Sequence, residues 1–448
     1  TSPKTSEVGT IEFRNVTFSY PGADEPVLKN ISFVVQLALH YASYENLEVS
    51  KNDLKPLTKK YLDKLLAVRG TPDIKVITGV RRSGKSKLLE SFIDYIAQNE
   101  HEVNIIHIDF NRVENEVLRN KRALYDYVQN AYVSGKKNYL FIDEVQLCDG
   151  FEWAINGLHT LEKYDIYITG SNAFLMSSDL ATLFTGRTFS VAVYPFSFAE
   201  YLEYYGKGEL EKDFSNYARQ GGMAGSYLFS EQEQKDQYLN EVFNTLIVRD
   251  IYQKHHLRQK DVFANLCNFL MDNVSNLTSP HSIAKFLLAK NKKISDKTIS
   301  SYLEYLCQAF MFYRFGRYDI HGKNYLSTSD KYYLCDHSFR YAVLGTKNPD
   351  FGRVYENIVA MELLRRGYQV YVGVLFNSEI DFVAIKRDEK IYIQVAANID
   401  EESRFQREIA PLLKIRDVYP KILLARYVDN EINYEGVKVQ NLAQWLLN

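Results

Sequence analysis

Cysteine is scarce in this sequence. There are four in 448 residues (Cys148, Cys267, Cys307 and Cys335), with no C-x-x-C pair and no partnering histidine. This excludes a disulfide scaffold and fits reduced thiols in a cytoplasmic protein. No apolar run reaches the roughly 18 residues that a bilayer-spanning helix needs. An excess of one charge is also lacking: 54 Lys and Arg stand against 56 Asp and Glu, a net charge of −2. Whole-chain electrostatics therefore select neither nucleic acid nor an anionic membrane, and any such contact must come from a local patch. No signal-peptide pattern is read at Thr1, and the core holds no internal repeat or low-complexity tract. What is present is ordinary globular material, 46% hydrophobic and 25% charged. At roughly 100–200 residues per domain, the length suits two to four domains.

The first segment differs from the rest. Residues 11–34 read IEFRNVTFSYPGADEPVLKNISFV, two alternating apolar runs around a Pro-Gly turn, which predicts a hairpin. The stretch resembles the opening strands of an ABC-transporter nucleotide-binding domain. That resemblance implies that Tyr20 of FSYP stacks on adenine. The likeness stops after about 25 residues, where a phosphate loop would follow in that family; here the next one starts at Gly79, and no LSGGQ-type signature occurs. Residues 1–36 are therefore expected to be a fusion remnant, with two strands that lack a sheet of their own to join and that are poorly ordered or add to an exposed edge. Residues 37–70 form a helical lead-in, with apolar positions at Leu54, Leu57, Tyr61, Leu62, Leu65 and Leu66 and an end near Gly70.

Between residues 71 and 200, short apolar strands (73–78, 103–110, 138–143, 165–170 and 188–196) alternate with helical patterns. That alternation predicts a parallel sheet covered by helices on both faces. GVRRSGKS at 79–86 matches G-x-x-x-x-G-K-[ST] in full, after a strand and before a helix. The glycines permit a tight turn, and backbone N–H groups at the helix start face phosphates. The candidate nucleotide-binding residues are Gly79, Arg82, Ser83, Gly84, Lys85, Ser86 and Lys87. Lys85 is expected on the β- and γ-phosphates of ATP, and Ser86 on Mg2+. Arg81 and Arg82, inside the loop, are candidates for phosphate or a partner. YLFIDE at 139–144 puts Asp143 at a strand tip as the second metal ligand, and Glu144 as the general base that polarises water. In YITGSNA, Ser171 or Asn172 is placed to bond the γ-phosphate or the attacking water. Arg187 of LFTGR precedes the fifth strand and is a candidate for stabilising transition-state charge, in cis or from a neighbouring subunit.

The stretches KVITGVRRSGKSKLLESF, NYLFIDEVQ, YITGSNAFLMSSDLATLFTGR, VYPFSFAEYLEY, GGM, GRVYENIVAMELLRRGYQVYVG and EIDFVA make residues 60–448 resemble the prokaryotic AAA-type ATPases with a C-terminal DUF4143 domain. The family is related to archaeal-type ATPases with a winged helix and a restriction-endonuclease-like tail. The resemblance implies ATP binding and hydrolysis and no particular cellular role.

After the ATPase core, residues 201–259 read as a helical extension and 260–345 as a winged-helix-like domain. Residues 279–309 form a helix–turn–helix pattern capped by Ser295 or Asp296, with the aromatic run 311–318 starting a wing. Residues 255–300 carry seven Lys or Arg against three Asp, which makes 279–309 the candidate DNA contact. The second of these helices also has a heavy apolar load, which favours packing or interdomain transmission. Residues 346–448 alternate helix and strand in the order of a PD-(D/E)xK nuclease core. Glu356 lies on its first helix and Asp381 on a strand, while Gln394 and Ala396 stand where that fold has E-x-K. Lys386 and Lys390 are close in sequence, at strand ends or a turn. A nuclease-like fold that has lost cleavage is the expectation.

The fold class read here is therefore α/β: a P-loop NTPase sheet with helices on both faces, a winged-helix-like helical middle and a smaller restriction-endonuclease-like domain. Three functions compete. They are an AAA-type switch or motor acting with a protein partner or by self-association, a DNA-processing ATPase with gated cleavage, and a transporter subunit. The displaced phosphate loop opposes the third, and the missing E-x-K lysine opposes the second.

Overall fold

The computed structural model describes residues 10–18, 28–36, 59–171, 184, 186–322, 324–345, 350–375 and 378–448. Tyr20, Leu54, Leu57 and Asn172 lie outside them. The chain divides into two compact units, Thr1–Pro56 and Leu57–Asn448.

In the first unit, β1 (Thr10–Phe18) and β2 (Leu28–Gln36) pair antiparallel, with Thr10 opposite Gln36 and Phe13 opposite Phe33. The expected hairpin is there. Among the described residues it makes a two-stranded sheet.

The second unit opens with the helix Lys59–Ala67, which buries Tyr61 and Leu65. A five-stranded parallel sheet follows. Its strands are β3 (Ile74–Thr78), β4 (Val103–Asp109), β5 (Lys137–Asp143), β6 (Tyr164–Gly170) and β7 (Thr188–Ala192), in the order β4-β5-β6-β3-β7. Alternate residues of β5 and β6 enter different cores. Tyr139, Phe141 and Tyr167 pack with Phe92 of the helix Lys85–Asn99 on one face. On the other face, Leu140, Ile142, Ile166 and Ile168 pack against the helices Lys121–Asn130 and Phe151–Thr160. Both faces of each strand are thus apolar, which is why these strands read as continuous hydrophobic runs. The order also places β6 between β3 and β5, so the tip of β6 stands between the phosphate loop and Asp143.

Helices Phe198–Tyr205, Leu210–Gln220 and Gln232–Thr245 come next, and the last runs directly into a π-helical segment, Leu246–Gln253. The helices Lys260–Asp272, Pro280–Ala289 and Asp296–Gln308 follow. Ser295, not Asp296, caps the last of them, its hydroxyl accepting the Thr298 amide at 3.2 Å.

The aromatic strand β8 (Phe312–Asp319) forms a hairpin with β9 (Asn324–Leu334). β8 also pairs in parallel with β10 (Gln369–Leu375), so the strand read as the start of a wing belongs to a larger sheet. That sheet continues through β11 (Ser378–Lys386), β12 (Glu389–Ala396) and β13 (Lys421–Ala425) to β15 (Val437–Asn441) and β14 (Ile432–Tyr434), eight strands in all. The helix Phe351–Arg365 covers it. The sheet therefore runs across the junction near residue 345. One apolar core extends from Phe198 to Leu446 and likewise crosses the junctions near residues 259 and 345.

Candidate functional site

The phosphate loop joins the tip of β3 to the helix Lys85–Asn99. Gly79 has φ +148°, and a Cβ there would lie 2.0 Å from the Val193 carbonyl oxygen, so only glycine lets β7 close against the loop. Gly84, at φ +100°, is the N-cap and turns the chain into the helix. Lys85 is buried, and its ammonium donates to the carbonyls of Gly79 at 3.0 Å and Val80 at 3.1 Å. Burial pushes it below the usual lysine range, against the pull of Glu144 and Asp143.

Asp143 is buried at the tip of β5. Burial raises its carboxyl above the usual range, while hydrogen bonds from Thr169 and Ser86 pull it down. Thr169, at the tip of β6, donates to Asp143 and accepts the Glu144 amide at 3.0 Å. Glu144 itself is buried in a left-handed turn, φ +53°. Its carboxylate accepts hydrogen bonds from the Gln146 amide and, at 3.3 Å, from the Ser171 hydroxyl. The sequence-predicted group of Lys85, Ser86, Asp143, Glu144 and Ser171 is therefore brought together around three adjacent strand tips.

The donors fit a nucleotide phosphate chain. Among the described residues the buried hydroxyls of Ser83 and Thr78 find no hydrogen-bond partner, and they lie in the loop and at the last residue of β3. An orphaned hydroxyl beside a buried ammonium and a helix N-terminus is the donor chemistry a phosphate takes up. Ser86 and Asp143 together offer the hydroxyl and the carboxylate that hold Mg2+ in such sites. Among the described residues no cluster of three or more His, Cys, Asp or Glu could hold a metal without such help.

Other predicted residues land elsewhere. Lys87 is exposed and its ammonium pairs with Glu90 at 2.7 Å, so what it offers a phosphate is its backbone N–H in the first helical turn. Arg82 is exposed, in a left-handed conformation at φ 68°. Arg81 makes a forked pair with Asp250 of the π-helical segment, Nε to Oδ2 at 3.0 Å and Nη2 to Oδ1 at 2.8 Å. Arg187 is exposed, and its carbonyl accepts the Ile74 amide at 2.9 Å. Ile74 begins β3, at the end of the sheet opposite the loop. Five residues at ~3.3 Å each separate it from Gly79, on the order of 16 Å, beyond the span of one arginine side chain.

A second polar cluster lies in the eight-stranded sheet. Glu356, Asp381 and Gln394 do converge. The Asp381 amide donates to the Gln394 carbonyl oxygen at 3.3 Å, and the Val395 amide donates to Asp381 at 3.0 Å. The lysine that the sequence reading sought at 386 or 390 arrives instead from β9. Lys331 is buried, with its ammonium 3.0 Å from Glu356, 2.6 Å from Glu379 and 3.5 Å from Asp381. Tyr333 also donates to Glu356, at 2.6 Å. Lys386 donates to the Arg366 carbonyl at 2.7 Å, and Lys390 sits 4.6 Å from the centre of the Tyr419 ring, both outside the cluster. Burial opposes the Lys331 charge, and Glu356, Asp381 and Glu379 more than offset it, so its pKa is raised. Burial, then Glu356, lifts Asp381 to about 8.

Sequence reasoning missed Thr169, Gln146, Asp250 and Lys331. Thr169 and Gln146 are adjacent to recognised motifs, and the expected strand order already places Thr169 beside Asp143. Nothing local marks Asp250 or Lys331.

In the helix–turn–helix stretch, Lys285, Lys290, Lys293 and Lys297 are exposed, while Lys292 pairs with Asp261. The second helix buries Ile299, Tyr302, Leu303 and Leu306 and exposes Glu304. No described helix is long and apolar enough to cross a membrane.

Residues 71–202 match a family described as an AAA domain, and residues 211–350 a domain of unknown function, DUF8612, where the sequence reading had named DUF4143 for the chain's later part. An uncharacterized protein of Haemophilus influenzae is 37% identical over 395 residues, covering 87% of this chain and 98% of that protein. An uncharacterized protein of Methanocaldococcus jannaschii is 29% identical over 425 residues, 89% of this chain and 90% of that one. Among solved structures, a Walker-type ATPase of Pyrococcus abyssi is similar with a TM-score of 0.45 and 16% identity, over 64% of this chain and 95% of that chain.

Proposed function

Because this chain belongs to one family with the Haemophilus influenzae protein and carries an AAA domain at residues 71–202, we propose that it is an Mg2+-dependent ATPase working as a nucleotide-driven switch. The observation that carries this reading is the convergence of Lys85, Ser86, Asp143 and Glu144, with Thr169 bonded to both acidic residues. In it, loop amides and Lys85 bind the phosphates, and Ser86 and Asp143 hold the metal. Mg2+ held there would supply positive charge to the phosphates. Glu144 takes a proton from the attacking water, and Ser171 and Gln146 orient its carboxylate. Asn172 remains a candidate for the same water, and Arg187 for transition-state charge in a neighbouring copy. Lys85→Ala is expected to abolish nucleotide binding. Glu144→Gln is expected to keep binding and to lower turnover by at least ~100-fold, since only water activation is removed. Titration calorimetry with steady-state phosphate release checks both. Wild-type turnover in Glu144→Gln would remove Glu144 from the mechanism.

The cluster at Lys331 favours a weighing of the DNA-processing alternative, since carboxylates and a lysine do meet there. The ammonium is only 4% exposed and is already shared among three carboxylates. A group so committed neutralises the acids a metal would need. We therefore expect no cleavage of plasmid or single-stranded DNA with ATP and either Mg2+ or Mn2+. Metal-dependent nicking that disappears in Asp381→Ala and persists in Lys85→Ala would promote the alternative. Contact with DNA through 279–309, supported by the exposed lysines there, is independent of cleavage; ATPase rates with and without DNA test it.

A further inference from the structure

We infer that Asp250 is the phosphate loop's internal competitor for ATP: it holds Arg81 when no γ-phosphate is present and yields it when one is, so that the π-helical segment Leu246–Gln253 reads the nucleotide state. The inference rests on the loop being an ATP site and adds its regulation.

Arg81 stands in the loop itself, between Gly79 and Gly84, yet its guanidinium is turned to a residue 169 positions away. The pair is a planar fork with both side chains largely buried, 13% and 15% exposed. Such a pair is strong, and breaking it on one side leaves a costly lone charge. Asp250 and Arg81 both act electrostatically on Lys85, and Glu144 acts on Arg81. These charges therefore share one region with the phosphates. A γ-phosphate is a rival anionic partner for the guanidinium and a like charge to Asp250. ADP brings no such group.

The receiving element is unusual too. A π-helical run is rare, occurs mostly as a single turn inside a longer helix and is frequent at functional sites. This one buries Leu246, Ile247 and Ile251 and continues the helix Gln232–Thr245. Asp250 lies within residues 211–350, the domain of unknown function, so a shift at Asp250 acts directly on that domain as the output of the switch.

The test compares the full chain with its Asp250→Asn variant. Affinities for the non-hydrolysable analogue AMP-PNP and for ADP are measured with Mg2+ by calorimetry, and hydrogen exchange is followed over residues 246–257. The variant is expected to bind AMP-PNP about fivefold or more tighter, and ADP less than about twofold differently. In the wild type, AMP-PNP is expected to raise exchange in 246–257 and ADP to leave it unchanged; this arm needs no variant and so stands even if Asp250→Asn fails to fold. Equal shifts for the two nucleotides, weaker AMP-PNP binding by the variant, or wild-type exchange indifferent to AMP-PNP would overturn the inference alone. A wild type that binds neither nucleotide would overturn the ATP-site reading and this inference with it.

Discussion

Asp381 shows how strongly a single carboxyl depends on its surroundings here. It faces Lys331, Glu356, Glu379 and Gln394 and accepts the Val395 amide. Burial and then Glu356 raise it from the ordinary 3.8 to about 8. A carboxyl raised on folding contributes stability that is complete below its unfolded pKa and is lost as pH climbs through the folded one. Asp381→Asn has no proton to lose. The difference in melting temperature, variant minus wild type, is therefore expected to grow between pH 4 and 8 by on the order of 5 °C and to flatten above that. A difference that stays constant across that range would show the carboxyl ionised throughout. Residues of this kind divide by how they are legible. Lys85, Ser86, Asp143 and Glu144, the residues proposed to bind and hydrolyse the nucleotide, stand in two contiguous motifs whose local backbone brings them together, so spacing reveals them. Lys331 meets Glu356 and Asp381 only because a hairpin folds onto a sheet, and no spacing rule looks 25 or 50 residues upstream for an ammonium.

Elements were legible in proportion to their apolar periodicity. The central strands β3, β5 and β6 stand out because almost every residue in them is buried, while the edge strands β4 and β7 are partly exposed. β9, with the polar-rich sequence NYLSTSDKYYL, the three-residue β14 and the short helices Ser338–Leu344 and Leu442–Leu447 carry too few periodic positions to be read. The hairpin of β1 and β2 has the opposite history: its grammar is plain, but its context is not. Among the described residues its strands pair with each other, within a compact unit, Thr1–Pro56. Deleting residues 1–36 is accordingly expected to leave ATPase activity unchanged and the melting temperature within about 2 °C. A domain of roughly 150–250 residues loses ~2–4 °C for each kcal/mol, and a longer chain less. A fall of several degrees, followed by differential scanning fluorimetry, would show the hairpin to be integrated.

Across the whole molecule, the parallel register of β3 and β7 puts Arg187 and the phosphate loop at opposite ends of one sheet, and the role proposed for Arg187 is therefore one in a second copy. Arg187→Ala alone is expected to lower kcat by on the order of 10³ with nucleotide binding retained. Lys85→Ala alone is expected to be inactive. Mixed together, the two variants are expected to regain turnover, since each supplies what the other lacks; a mixture no more active than its parts would make Arg187 a structural residue. The nucleotide chemistry proposed for this protein is legible in contiguous residues, because a phosphate loop and a strand-tip carboxylate work through local backbone geometry that their own residues impose. The folded chain alone shows that Arg187 stands at the far end of the sheet from the loop, that Lys331 fills the acidic cluster, and that Asp250 holds Arg81. Each of those depends on which distant segments share a low-dielectric interior, where one charge determines what its neighbours can do.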